Sequence, residues 1–127
     1  MSDEISQRGE IKSKFKDEEL ILNPSFGNIA KAGAILGNDW PKLAKELTQG
    51  SLKISLAEAG LLLEIIVKKP SRKSQDWAEI IKKRGMMAFM NPVADFVKYM
   101  VMGEEGLEEE AKEEAEGNSS AKETPDP

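Results

Sequence analysis

The sequence predicts an α+β chain in which helices dominate. It reads as an N-terminal β-hairpin, four or five short helices and an acidic C-terminal tail. Three observations carry this. Residues 10–22 hold an apolar–polar alternation, a charged turn and a second apolar run. Residues 24–103 repeat the helical spacing i, i+3, i+4, i+7 between capping and stop signals. From Glu104 the chain is rich in Glu, Ala and Lys, with Leu107 its only large hydrophobe. The expected organisation is a flexible N-terminus at 1–9, a folded domain at 10–103 and a tail at 104–127. That tail cannot bury enough apolar surface to offset ordering, so it is expected to be disordered or a solvated, partial helix.

In the hairpin, Ile11, Ser13 and Phe15 alternate with Lys12, Lys14 and Lys16, and Leu20-Ile21-Leu22 form the return strand. The turn lacks Asn-Gly or Asp-Gly, so its register stays open. An isolated hairpin is marginal in water and must pack on helices or on a second subunit.

Asn23-Pro24 reads as an N-cap followed by proline at the first helical position. Phe26, Ile29, Ala30, Gly33 and Leu36 then form one apolar face, and Gly37-Asn38 stops the helix. Gly27 and Gly33 each weaken it by about 1 kcal/mol relative to Ala, which implies either flexibility or close packing. Asp39 caps a short helix with Trp40, Leu43, Ala44 and Leu47 on one face, ended by Gly50. Ser55-Leu56-Ala57-Glu58 is a capping box. It opens what reads as the central helix, with Ala59, Leu62, Leu63, Ile66 and Val67 inward, Leu56 and Leu61 widening that face, and Pro70 closing it. Ser74 is the expected cap of a helix through Arg84, with Trp77, Ile80 and Ile81 inward. Asn91-Pro92 repeats the cap-plus-proline start, and Val93, Phe96, Val97, Met100 and Val101 follow to a stop at Gly103.

Composition narrows function mainly by exclusion. The chain has no cysteine and no histidine, which removes disulfides, thiolate metal sites and the commonest general base. Its serines sit at caps or polar termini, and no phosphate-binding glycine loop is present, so an enzyme is not expected and no cofactor is implied. The longest apolar run, Ala59 to Val67, is broken by Glu64 and falls well short of the ~20 residues that span a bilayer. The opening Met1-Ser2-Asp3-Glu4 does not resemble a secretory signal. A cytoplasmic protein without membrane contact is the expectation.

The net charge of −5 conceals an asymmetry. Residues 1–103 carry 16 Lys/Arg and 13 Asp/Glu, giving +3, whereas residues 104–127 carry 2 Lys and 10 Asp/Glu, giving −8. Inside the domain, Lys68, Lys69, Arg72, Lys73, Lys82, Lys83 and Arg84 form a basic group. It reads either as a solvated face or as a patch for phosphate or for an acidic segment such as the tail. A second cluster, Met86, Met87, Phe89, Met90, Phe96 and Met100, is either gap-filling core or an adaptable surface for a protein partner. The hairpin edge is the other expected interaction surface.

Together these residues resemble a known family. A hairpin ending in an apolar run, then Asn23-Pro24-Ser25-Phe26, Ile29-Ala30 and the Leu36-Gly37 stop, is similar to the start of tail assembly chaperones of long-tailed bacteriophages and gene transfer agents. The short Trp40–Leu47 helix, the capped helix from Ser55 and the acidic end fit the same pattern. The resemblance implies a non-enzymatic, largely helical protein that binds the tape measure protein, recruits tail tube subunits and is absent from the finished virion; self-association is a separate expectation. Two other readings stand beside it. One is a small nucleic-acid-associated protein whose 68–84 patch is opposed by its own tail, and the other is a head–tail adaptor of the virion.

Overall fold

The hairpin is where the local signals act first. The computed structural model describes residues 9–123, with side chains placed through Leu107 and at Glu109. The flexible segment expected at 1–9 lies outside the described residues except for Gly9, as do residues 124–127. Strands β1 (Ile11–Phe15) and β2 (Glu18–Leu22) pair antiparallel, with Ser13 opposite Leu20 and Phe15 opposite Glu18. The connection is the two-residue turn Lys16-Asp17, with Lys16 at φ 61°. A positive φ at the first turn residue matches the right-handed twist of the strands, which is how a turn without glycine still closes the hairpin.

Ser13, Phe15, Leu20 and Leu22 point inward, while Lys12, Lys14 and Glu19 face solvent. A third strand, β3 (Val67–Lys69), completes an antiparallel sheet in the order β1-β2-β3. The sequence reading misses it, because three residues at the end of an apolar helix carry no period of their own. The central helix therefore ends at Ile66, not at Pro70. Its last carbonyl accepts from the Asn23 N–H at 2.8 Å, which ties the end of the hairpin to the start of β3.

Five helices follow the hairpin: α1 (Phe26–Leu36), α2 (Trp40–Gln49), α3 (Leu56–Ile66), α4 (Ser74–Arg84) and α5 (Met86–Glu123). The fold is α+β with helices dominant. The caps expected at Asp39 and Ser55 form. Asp39 accepts from the Lys42 N–H at 3.2 Å, and both reciprocal bonds of the Ser55–Glu58 box are present at 3.1 Å. Gly50 ends α2 in the left-handed conformation.

Three starts differ from the sequence reading. Ser25, not Asn23, caps α1 by accepting from the Asn28 N–H, and the Asn23 carbonyl instead takes the Asn28 side-chain amide. Ser74 does not cap α4. Its own N–H donates to the Glu64 carboxylate of α3 at 2.8 Å, so the acid that interrupts the apolar run serves the next helix. Asn91-Pro92 starts nothing, because α5 already begins at Met86, just after Gly85 at φ 101°. Pro92 lies buried inside α5, and the Asn91 side-chain amide donates to the Lys14 carbonyl at 2.7 Å, tying the helix to β1.

The core joins the sheet to all five helices, with Ala32 of α1 and Leu43 of α2 buried in it. Phe15, Leu20 and Leu22 meet Leu62, Leu63 and Ile66 of α3, Trp77 and Ile81 of α4, and Phe89, Val93, Phe96 and Val97 of α5. Leu56 and Leu61 do not widen the buried face of α3, since both are exposed. Gly103, at φ 77°, breaks α5 as the sequence suggests. Beyond it the backbone is helical to Glu123. A run of Glu, Ala and Lys has high helix propensity even without a partner to pack on, which fits the solvated, partial helix that the composition allows for this stretch.

Candidate functional site

The basic residues do not share one face. Glu18, at the start of β2, draws two of them inward. Arg72 grips its carboxylate with both terminal nitrogens, at 3.1 and 2.8 Å, and Arg84 adds a third contact at 2.7 Å. Each guanidinium also lies over a ring, Arg72 4.6 Å from the Trp77 centroid and Arg84 5.1 Å from that of Phe15. The two rings stack on each other at 6.1 Å. Glu18 lies more than fifty residues from both arginines, so no spacing within 68–84 points to it.

Of the other basic residues, Lys68 pairs with Glu10 and Lys82 lies 3.8 Å from Glu79. Lys69, Lys73 and Lys83 are exposed and make no ion pair among the described residues. The expected phosphate-sized patch is thus divided into an ion-paired, aromatic-stacked cluster and three scattered lysines.

Glu18 is held below the ordinary carboxylate value of 4.5, first by its bond to Arg72 and then by Arg84, against the opposing effect of burial. A carboxylate whose pKa is lower folded than unfolded stabilises the fold above the unfolded value and loses that effect as pH falls through the folded one. Urea titrations of wild type and Glu18→Gln between pH 3 and pH 7 test this. We expect the variant to lose about 1–2 kcal/mol at pH 7 and to show a shallower decline below pH 4.5.

The methionine cluster divides as well. Phe89 and Phe96 belong to the core, fully enclosed, and Phe96 meets the Trp40 ring edge-on at 6.1 Å. They cannot be partner contacts in this fold, because periodic apolar residues on a helix turn toward its neighbours. Met86, Met90 and Met100 are half-buried against the same core, which leaves Met87 as the exposed member of the six.

The apolar surface lies one turn further along. Val101 and Met102 are exposed beside a groove of about 350 Å³ between α2 and α5, with Ala44, Leu47 and Val97 on its walls and floor. The Thr48 hydroxyl in the same groove is satisfied by the Ala44 carbonyl at 2.9 Å. The hairpin edge, by contrast, is partly closed. Asn91 takes the Lys14 carbonyl, and the Ser13 hydroxyl donates to Asp95 of α5 at 2.5 Å.

A further apolar face escapes the sequence reading. Helix α1 turns Ala32 and Gly33 inward, so Phe26 and Ala30 face solvent instead of the core, and Phe26 is 87% exposed. Beside it, Ile35 of α1 and Leu61 and Ile65 of α3 line a shallow groove whose charges are Lys31 and Glu64. The available signal was the lack of a polar side on α1, where Asn28 and Lys31 are the only polar residues in eleven.

Among the described residues, no helix is long and apolar enough to cross a membrane, and no cluster of acids could hold a metal ion. No family model, no curated protein and no solved structure matches this chain.

Proposed function

We propose that this chain is a non-enzymatic tail assembly chaperone, acting in the host cytoplasm, which holds an apolar helical segment of the tape measure protein and brings tail tube subunits to it. The observation that carries this reading is the open apolar groove between α2 and α5. A helical client presents apolar residues at i, i+3, i+4 and i+7, and a groove between two helices is the complementary surface. Met102 at its rim has the adaptable, unbranched side chain suited to varied client sequences. The acidic helix beyond Gly103 adds the net charge that keeps a protein with exposed apolar surface dispersed. The resemblance at Asn23–Gly37 supplies the class of client. The division of the basic residues around Glu18 weighs against the nucleic-acid reading, since Arg72 and Arg84 are turned toward its carboxylate and their charge is partly offset by it.

Co-expression with a tape measure segment from the same genome is the test. Wild type is expected to co-purify with the segment, and Val101→Glu, exposed and outside the core, is expected to lose it while keeping the wild-type melting temperature. Failure of the wild type to capture the segment overturns the proposal.

A further inference from the structure

We propose that the outer face of α1, with the groove it forms against α3, pairs two copies of this chain about a twofold axis. Phe26, Ala30 and Ala34 occupy one exposed row at i, i+4 and i+8. Laid antiparallel against a second α1 with Ala30 on the axis, the row is self-complementary. Phe26 of each copy meets the partner's Ala34, a large side chain against a small one, twice over. Small residues along the row allow the close helix approach that such an interface needs.

The charges agree with the same operation. Lys31 and Glu64 line one groove, and neither makes an ion pair among the described residues. Glu64 uses one oxygen for the Ser74 N–H and keeps the other. A twofold axis perpendicular to α1 sets groove over groove, so Lys31 of each copy faces a partner surface that carries Glu64. An isologous interface requires such a patch, carrying equal and opposite charge on one surface. Helix α1 is about 16 Å long, so the interface lies at the small end of specific contacts and the dimer is reversible and concentration-dependent.

The pairing deepens the self-association expected of an assembly protein and uses no residue of the α2–α5 groove, so loss of either activity leaves the other measurable. Light scattering on the full chain over a concentration series gives the readout. Wild type should move from monomer to dimer mass as concentration rises. Phe26→Asp, at an 87% exposed site whose replacement spares the core, should weaken dimerisation by more than about tenfold. Lys31→Glu and Glu64→Lys should each be monomeric alone and form a dimer when mixed, since the mixture restores both cross-copy pairs and a pairing within one chain could not. Melting curves run alongside, because Glu64→Lys also removes the acceptor at the start of α4. A wild type that stays monomeric at every concentration overturns the proposal, as does a dimer indifferent to Phe26→Asp. A monomer whose capture of the tape measure segment fails on Phe26→Asp also overturns it and assigns this face to the client.

Discussion

Replacing Gly60 by alanine should destabilise the protein severely. Gly60 is buried in the middle of α3, where alanine would ordinarily gain about 1 kcal/mol of helix propensity. A Cβ there would stand 2.4 Å from the Ser74 carbonyl oxygen and 3.2 Å from the Ala78 Cβ of α4. The first of these is backbone, so the two helices must move apart. The movement would also pull the Ser74 N–H from Glu64 and disturb the seating of Trp77. Overpacking of this kind costs about 1–3 kcal/mol or more, and the upper end applies where no side chain can yield. A net loss of about 2–3 kcal/mol is expected, or roughly 10–20 °C in melting temperature for a domain of this size. Gly27→Ala is the control. Nothing lies within 4 Å of its added Cβ, so the same change on the exposed surface of α1 should stabilise by up to about 1 kcal/mol. A pair of thermal melts moving in opposite directions checks both.

Trp77 carries the second large effect. It is fully buried, stacked on Phe15, covered by Arg72, and set between the sheet and α3. Trp77→Ala should cost about 3–5 kcal/mol through lost burial and the cavity left behind. The phenylalanine variant should behave differently. The indole Nε1 is buried and finds no acceptor among the described residues, which is a cost the native fold carries. Trp77→Phe removes that N–H along with part of the ring, so two changes of opposite sign offset and the net loss should stay near 1 kcal/mol. Urea titrations followed by circular dichroism would show the contrast. A loss for Trp77→Phe as large as that for Trp77→Ala would contradict this and mean that the indole N–H makes a stabilising contact.

The elements that were legible before folding are those whose signals are local. Asp39, the Ser55–Glu58 box, Gly50 and Gly103 act on their own backbone within a turn, and each does in the fold what its chemistry predicts. The misplaced starts share a different cause. Asn23, Ser74 and Asn91 all have capping chemistry, yet each position is fixed by a partner outside its own helix, Asn23 and Ser74 through the backbone N–H to Ile66 and Glu64 and Asn91 through its side-chain amide to Lys14. Cap preference is worth about 1 kcal/mol, so a tertiary bond of similar size overrides it. The site was harder to read for the same reason. Glu18 reaches Arg72 and Arg84 across more than fifty residues, and no spacing rule anticipates that three-way contact.

Helical periodicity identified an apolar side for α1 and for the methionine-rich segment but could not say how many neighbours would cover it. Phe89 and Phe96 found enough neighbours to be enclosed. Phe26, on a helix that is apolar nearly all round, did not.

The most direct test of the account is size-exclusion chromatography with light scattering on the full chain, run with a tape measure helix and separately with a DNA duplex at low salt. The proposed function predicts a stable complex with the helix, lost in Val101→Glu, and no change in mass with DNA. A DNA complex that weakens steeply with salt, together with no helix complex, would contradict it and return the function to the lysines of the 68–84 segment.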